Sequence, residues 1–143
     1  MVNKQVWGRL TWLLFHATSF KLKEEHSYLV PLLYAHFRDI SSQLPCPDCA
    51  THAVQMWNSY PFAVRQKEDL VRAMFRGHNV VNRRLRKPVL SRSEHDSICR
   101  GIILFKLWNR FAQVMLKTEG SDLRLTASFH RKRSIQRRSE EHT

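Results

Sequence analysis

Apolar residues recur along this chain at helical rather than alternating spacing, and they divide it into five stretches. Between residues 4 and 21, Val6, Leu10, Leu13, Leu14 and Ala17 fall on one stripe, which predicts a helix. A second face of that helix carries Arg9, Trp12, His16 and Phe20. That face either lines a flat aromatic ligand or holds two more core aromatics and a hydrogen-bonded interior histidine. After the polar break Lys21-Leu22-Lys23-Glu24-Glu25, a second helix begins within 27–31. Ser27 is a candidate N-cap there, and Pro31 is tolerated only near the start. Leu29, Leu32, Leu33, Phe37, Ile40 and Leu44 form its stripe, and Pro45 ends it. A third helix runs to about Asn58, with Cys49, Ala53 and Trp57 on one face, and Ser59-Tyr60-Pro61 breaks it. The fourth spans about Gln66 to Leu85, with Leu70, Met74, Val81 and Leu85 as its buried side and Pro88 as its stop. The fifth starts at Ser91 or Ser93, each with an acid three residues on. Ile98, Ile102, Phe105, Trp108, Phe111 and Met115 carry it to about Lys117. The pattern predicts an all-α domain over residues 1–117, followed by a basic, flexible tail over 118–143.

Composition supports this picture. A chain of 143 residues that is 43% apolar, with eight Phe and four Trp, can bury a core as one domain. Four Gly and five Pro are too few for a turn-rich β fold. No apolar run approaches the roughly 18 residues of a membrane span. The start Met1-Val2-Asn3-Lys4-Gln5 lacks the apolar core of a secretory signal. These features predict a soluble, cytoplasmic protein that does not enter membranes. Three cysteines cannot build a disulfide framework, and in a reducing compartment a C-x-x-C pair is usually catalytic or metal-binding.

That pair lies in Leu44-Pro45-Cys46-Pro47-Asp48-Cys49. Proline suits the first turn of a helix, so Cys46 falls at the N-cap, Pro47 at N1 and Cys49 at N3. The positive end of the helix favours a thiolate there. Such a pair either exchanges electrons or grips a metal.

The net charge of +12 comes from 24 Lys and Arg against 12 Asp and Glu. Nine of the cations lie between Arg65 and Arg92, facing only Glu68 and Asp69. Stacking aromatics, which a nucleic-acid surface interleaves with its cations, are sparse in this segment, so nucleic acid is not the expected partner. Within the fourth helix, His78 and Asn82 share a face and Asn79 adjoins both. Two asparagines in a helix interior need a reason. With Arg83, Arg84, Arg86 and Lys87 close behind, the cluster suits a heterocycle carrying phosphates.

With these residues laid out, the chain resembles the Erv/ALR family of FAD-linked sulfhydryl oxidases, and most of all the compact form of large DNA viruses. The matching pieces are Trp7-Gly8-Arg9-Leu10-Thr11-Trp12-Leu13-Leu14-Phe15-His16, then Leu44-Pro45-Cys46-Pro47-Asp48-Cys49. His78-Asn79-Val80-Val81-Asn82 follows, through Leu85-Arg86-Lys87-Pro88. They stand in the family's order and span residues 7–88.

The resemblance implies a four-helix bundle plus a short fifth helix that cradles FAD and pairs as a homodimer. It implies Cys49 as the thiolate against the flavin and Cys46 as the outer sulfur attacked by substrate. It also implies cofactor contacts from Gly8, Arg9, Trp12, His16 and Phe20 in the first helix. Further contacts come from His78, Asn79, Val81, Asn82, Leu85, Arg86 and Lys87 in and after the fourth. Substrates are then dithiol proteins, a thioredoxin-like or viral redox partner among them, and O2 is the acceptor, giving H2O2. No metal takes part. The chain departs from cellular members in lacking a second cysteine pair in a tail. It also lacks their disulfide beside the His-Asn helix, whose nearest positions here are Phe75 and Ser91. The adenine-facing aromatic of relatives falls near Cys99, which reads more simply as a small buried residue.

Three rival readings come from the residues alone. Cys46, Cys49, His52 and Cys99 could form a zinc site, although a second pair at zinc spacing is missing. A thioredoxin-like reductase would need a βαβ pattern around the C-x-x-C. A basic helical nucleic-acid binder is the third.

Overall fold

In the computed structural model, residues 4–60 and 63–117 are described; the expected tail, 118–143, lies outside them. Helix α1 (Lys4–Lys21) leads to a short 3-10 turn (Glu24–Leu29) and then to α2 (Val30–Ser42). Helices α3 (Pro47–Ser59) and α4 (Lys67–Arg84) follow, then α5 (Arg92–Arg100) and α6 (Leu104–Lys117). The described residues are all-α, as the periodicity predicts.

Helix α1 is the axle: α4, α5 and α6 pack against it, while α2 packs on α3 and both reach α4. This explains why the stripe read from the sequence is rotated. Val6 is exposed and Leu10 and Leu13 are only partly buried, whereas Trp7, Thr11 and every residue from Leu14 to Ser19 are buried. A helix covered by neighbours on several sides hides more than one stripe, and its polar groups must be satisfied within it. Thr11 and Ser19 donate their hydroxyls to the carbonyls of Trp7 and Phe15, both at 2.7 Å.

The expected fifth helix divides in two. At its break, Gly101 N–H bonds to Ile98 O and Ile102 N–H to Cys99 O, each at 3.2 Å. These tight three-residue closures end α5 where glycine, a poor helix former, sits. The apolar residues across the break are therefore two half-stripes. Trp108, Phe111 and Met115 are core, but Ile98 and Phe105 are exposed. Leu32 and Leu85, also assigned to buried stripes, are exposed as well.

A close approach joins α3 to α4. A Cβ added to Gly77 would lie 2.7 Å from the Trp57 ring and 3.2 Å from the Met56 methyl. The glycine is what lets Trp57 lie flat on α4, with its indole N–H bonded to Ser41 Oγ at 3.1 Å.

Candidate active site

The dithiol sits where the sequence puts it. Cys46 is the N-cap of α3, in extended conformation, and its sulfur accepts the backbone N–H of Cys49 at 3.3 Å. Both thiols are free and half-buried. A hydrogen bond from the Cys49 thiol holds Cys46 below the ordinary thiol value, helped by the Cys49 backbone N–H and by Lys4 against the cost of burial. Burial, and then the same bond to Cys46, pushes Cys49 up, while the Lys4 ammonium pulls the other way. In the reduced pair, Cys46 is the better nucleophile.

Eight residues beyond Lys4 on α1, and eight beyond Cys49 on α3, the helices meet at Trp12 and Trp57, whose rings are 6.5 Å apart. Between them stand Gly8 on α1 and Ala53 on α3, at helical repeats of four on these faces. A Cβ on Gly8 meets nothing within 4 Å. Along each helix, then, a small residue stands between the level of the thiols and that of the aromatic rings.

The aromatic end is a stack of imidazoles and indole. Trp12 lies parallel to His78 at 4.4 Å and to His16 at 5.7 Å. His16 Nε2 and His78 Nδ1 are 2.8 Å apart, a bond that needs one N–H and one lone pair and hence at least one neutral ring. Burial, His78 and His95 hold His16 well below the ordinary imidazole value. Burial, then Lys87 and His95, bring His78 down to about 4. His16 is 4% exposed, and its Nδ1 has no partner. A buried, unpaired ring nitrogen beside a flat stack suits a heteroaromatic ligand.

His95, which the sequence did not single out, completes this end. It stands edge-on to His16 at 4.7 Å and is enclosed by Phe20 and Phe75. Its Nδ1 bonds Asp96 at 2.8 Å, and its Nε2 faces the Cys99 sulfur at 3.8 Å. Burial, with Asp96 adding to it, pushes the Cys99 thiol up to about 11, so it stays protonated. Arg92 ties Asp96 to α4 through a two-point bond to Glu68 at 2.8 and 3.2 Å.

The asparagines have structural work. Asn79 Nδ2 donates to Leu90 O at 2.9 Å and its Oδ1 accepts Leu90 N–H at 2.8 Å, a backbone clamp on the segment after α4. Asn82 donates to Asn79 Oδ1 at 3.3 Å. Both are buried, whereas Arg9, Leu85, Arg86 and Lys87 are exposed and Gly8, Phe20 and Val81 are intermediate. The cations follow α4 through a Schellman turn, in which Lys87 N–H reaches Asn82 O at 2.8 Å and Arg86 N–H reaches Arg83 O at 3.1 Å. Arg86 takes φ 58° there, the left-handed conformation that glycine usually supplies.

The zinc reading finds no ligand set: His52 is exposed, and no three His, Cys, Asp or Glu side chains among the described residues could hold a metal ion. Nor is any described helix long and apolar enough to cross a membrane.

Residues 9–100 match the Erv1/Alr family model, which is more than half of the chain. This chain belongs to the Erv1/Alr family. Among its similar proteins is the rice (Oryza sativa subsp. japonica) FAD-linked sulfhydryl oxidase ERV1, 29% identical over 89 residues, which cover 62% of this chain and 46% of the rice protein. An African swine fever virus FAD-linked sulfhydryl oxidase from a Kenyan pig isolate is 29% identical over 104 residues, covering 68% of this chain and 83% of the viral one. A Malawi tick isolate of that virus has one 38% identical over 61 residues, covering 43% and 51%. The chain thus spans about half the length of the rice and Malawi relatives and most of the Kenyan one. No solved structure matches it. The Erv1/Alr match takes in the dithiol, the histidine stack and His95, and it begins after Lys4 and Gly8.

Proposed function

We propose that this chain is an FAD-linked thiol oxidase that makes disulfides in dithiol proteins. The observation that carries the reading is the pairing, in one domain, of a dithiol that caps α3 with the buried Trp12–His16–His78 ring stack of α1 and α4. The names of the Erv1/Alr relatives, FAD-linked sulfhydryl oxidases, supply the cofactor and the substrate class.

The residues present fit the group. Trp12 and His78 offer a flat wall, buried His16 an unpaired ring nitrogen, and Gly8 open space on α1. Arg83, Arg84, Arg86 and Lys87 are exposed cations that would hold its phosphates. When bound, FAD supplies a two-electron acceptor that O2 re-oxidises, with H2O2 as product.

The chain's own residues do the rest. Starting from the Cys46–Cys49 disulfide, a substrate thiolate attacks Cys46 Sγ, the bond to Cys49 breaks, and the electron pair leaves on Cys49. Cys46 sits at the mouth of the helix N-terminus, where the N–H of Cys49 and the helix dipole favour negative charge on sulfur. The second substrate thiol then displaces Cys46, and the substrate departs as a disulfide. Cys49 is the more buried sulfur of the pair and is the one assigned to the cofactor. Neutral His16 and His78 place no positive charge against the ligand's rings.

Oxygen consumption by the purified full chain with a dithiol substrate tests this. Wild type is expected to consume O2, and Cys46→Ser and Cys49→Ser each to lose about a thousandfold or more. Undiminished turnover in Cys49→Ser would remove it from the electron path.

A further inference from the structure

The thiol-oxidase reading leaves one imidazole of the ring cluster without a task. His95, on α5, stands edge-on to His16 with 4.7 Å between ring centroids. Yet the buried Nδ1 of His16 finds no partner. What holds His95 explains this. Its ring is 1% exposed, and both of its nitrogens are engaged elsewhere. Nδ1 lies 2.8 Å from Asp96 Oδ1, and Nε2 lies 3.8 Å from the Cys99 sulfur.

We propose that Asp96 is a positioning residue of the cofactor site: it holds His95 off His16 and so keeps His16 Nδ1 free for a heteroaromatic ligand. The purpose rests on the thiol-oxidase reading, in which that ligand is FAD. The geometry stands without it.

The partners assign the protons. The same Asp96 oxygen accepts the Arg92 Nε–H at 2.9 Å. A carboxylate paired with a guanidinium is ionised and can only accept, so the proton between His95 and Asp96 sits on Nδ1. In the neutral ring Nε2 is then a lone pair, and the protonated Cys99 thiol is the donor facing it. Phe20 and Phe75 flank the ring edge-on, at 6.2 and 5.7 Å, and offer it no polar group. Arg92 is fixed in turn by Glu68 at 2.8 and 3.2 Å. A polar line thus runs from exposed Glu68 on α4 through Arg92 and Asp96 to the buried ring of His95.

Without Asp96, that Nδ1–H is a buried donor with no acceptor, which is costly. The adjoining His16 Nδ1 is the unpaired ring nitrogen it can turn to. A neutral imidazole offers one donor and one acceptor, so a released His95 can match His16 Nδ1 in either tautomer of the His16–His78 pair. Pairing there would occupy the nitrogen left for the ligand.

Ring N–H correlation NMR on the full chain with isotope-labelled histidine tests this. In flavin-free wild type above neutral pH, His95, identified by its absence in His95→Gln, is expected to carry its proton on Nδ1. In Asp96→Ala, the His95 pattern should change and the His16 Nδ1 resonance should move to a hydrogen-bonded position. Asp96→Asn keeps an acceptor oxygen without the charge, and should retain the wild-type pattern although its ion pair with Arg92 is lost. A merely structural Asp96 would lower Tm in both variants and leave both ring patterns unmoved. FAD affinity, titrated by flavin fluorescence, should fall about tenfold in Asp96→Ala and stay within about twofold of wild type in Asp96→Asn, as expected for one hydrogen bond at a buried ring. The Asp96 side chain is 23% exposed, so its truncation opens no core cavity; should Asp96→Ala not fold, the wild-type pattern and Asp96→Asn decide. A wild-type His95 protonated at Nε2, an unmoved His16 Nδ1 resonance in Asp96→Ala, or wild-type FAD affinity in that variant overturns the proposal. Wild type that binds no FAD rejects the thiol-oxidase reading, while the ring patterns still decide on Asp96.

Discussion

At the start of α3, Cys46 and Cys49 are half-exposed, hydrogen-bonded to each other and approached by an exposed ammonium. Farther along α1, Trp12, His16, His78 and His95 are packed ring against ring, and two of the imidazoles are held neutral. The first region keeps charge on sulfur, whereas in the second burial holds His16 and His78 neutral. A thiol that must meet another protein's thiol needs access and a stabilised anion. A wall for a flat cofactor needs rigid surfaces and few competing protons. One helix, α1, contributes Lys4 to the first and Trp12 and His16 to the second, so the two regions are fixed relative to each other.

The comparison breaks most visibly if the ring end is removed and the thiol end kept. Trp12→Ala strips the ring that stacks on His78. We expect about 2–4 kcal/mol of lost stability and loss of flavin on gel filtration, with Cys46 still alkylated at the wild-type rate. Loss of Cys46 reactivity as well would mean the two ends are one cooperative unit.

Acid should separate them next. His78 in the folded chain binds a proton only near pH 4, while an unfolded histidine does so near pH 6.5. Between those values the unfolded state holds more protons, so stability is full above about pH 6.5 and falls as pH drops toward 4. Unfolding free energies from denaturant titrations across that range should fall by on the order of 3 kcal/mol in total. His78→Gln should flatten the decline. An unchanged slope in that variant would mean that His78 is not the group responsible.

Gly77→Ala sharpens the comparison by moving one end against the other. Its new methyl would stand 2.7 Å from the Trp57 ring, which must tilt or push α3 from α4. About 1–2 kcal/mol of destabilisation is expected, read as a lower Tm. Flavin fluorescence should change, because Trp57 also touches Trp12.

The smallest effect is a gain. Arg86→Gly relieves a left-handed arginine and should stabilise the chain by about 0.5–1 kcal/mol, measured by thermal melting. It also removes one exposed cation, so a higher Tm with weaker flavin retention would link that strain to cofactor binding.

Local signals were the legible ones. Cys46, Pro47 and Cys49 lie within one helical turn, and capping chemistry alone places them correctly. The α1 boundaries likewise follow from a long periodic run. The break at Gly101 was hidden because Ile98, Ile102 and Phe105 continue an apolar rhythm across it, and only packing reveals that two of them face solvent. The Asn79 clamp on the Leu90 backbone was not legible, because Leu90 sits in an irregular segment with no pattern to announce it. His95 and Lys4 were missed for the same reason: each gains meaning only from a different helix.

The most direct test of the account is an anaerobic titration of the purified full chain with a dithiol, followed by flavin absorbance. A yellow protein that bleaches stoichiometrically in wild type, and stays yellow but does not bleach in Cys49→Ser, is the result the two-region arrangement predicts. Colourless wild type, or equal bleaching in Cys49→Ser, would contradict it.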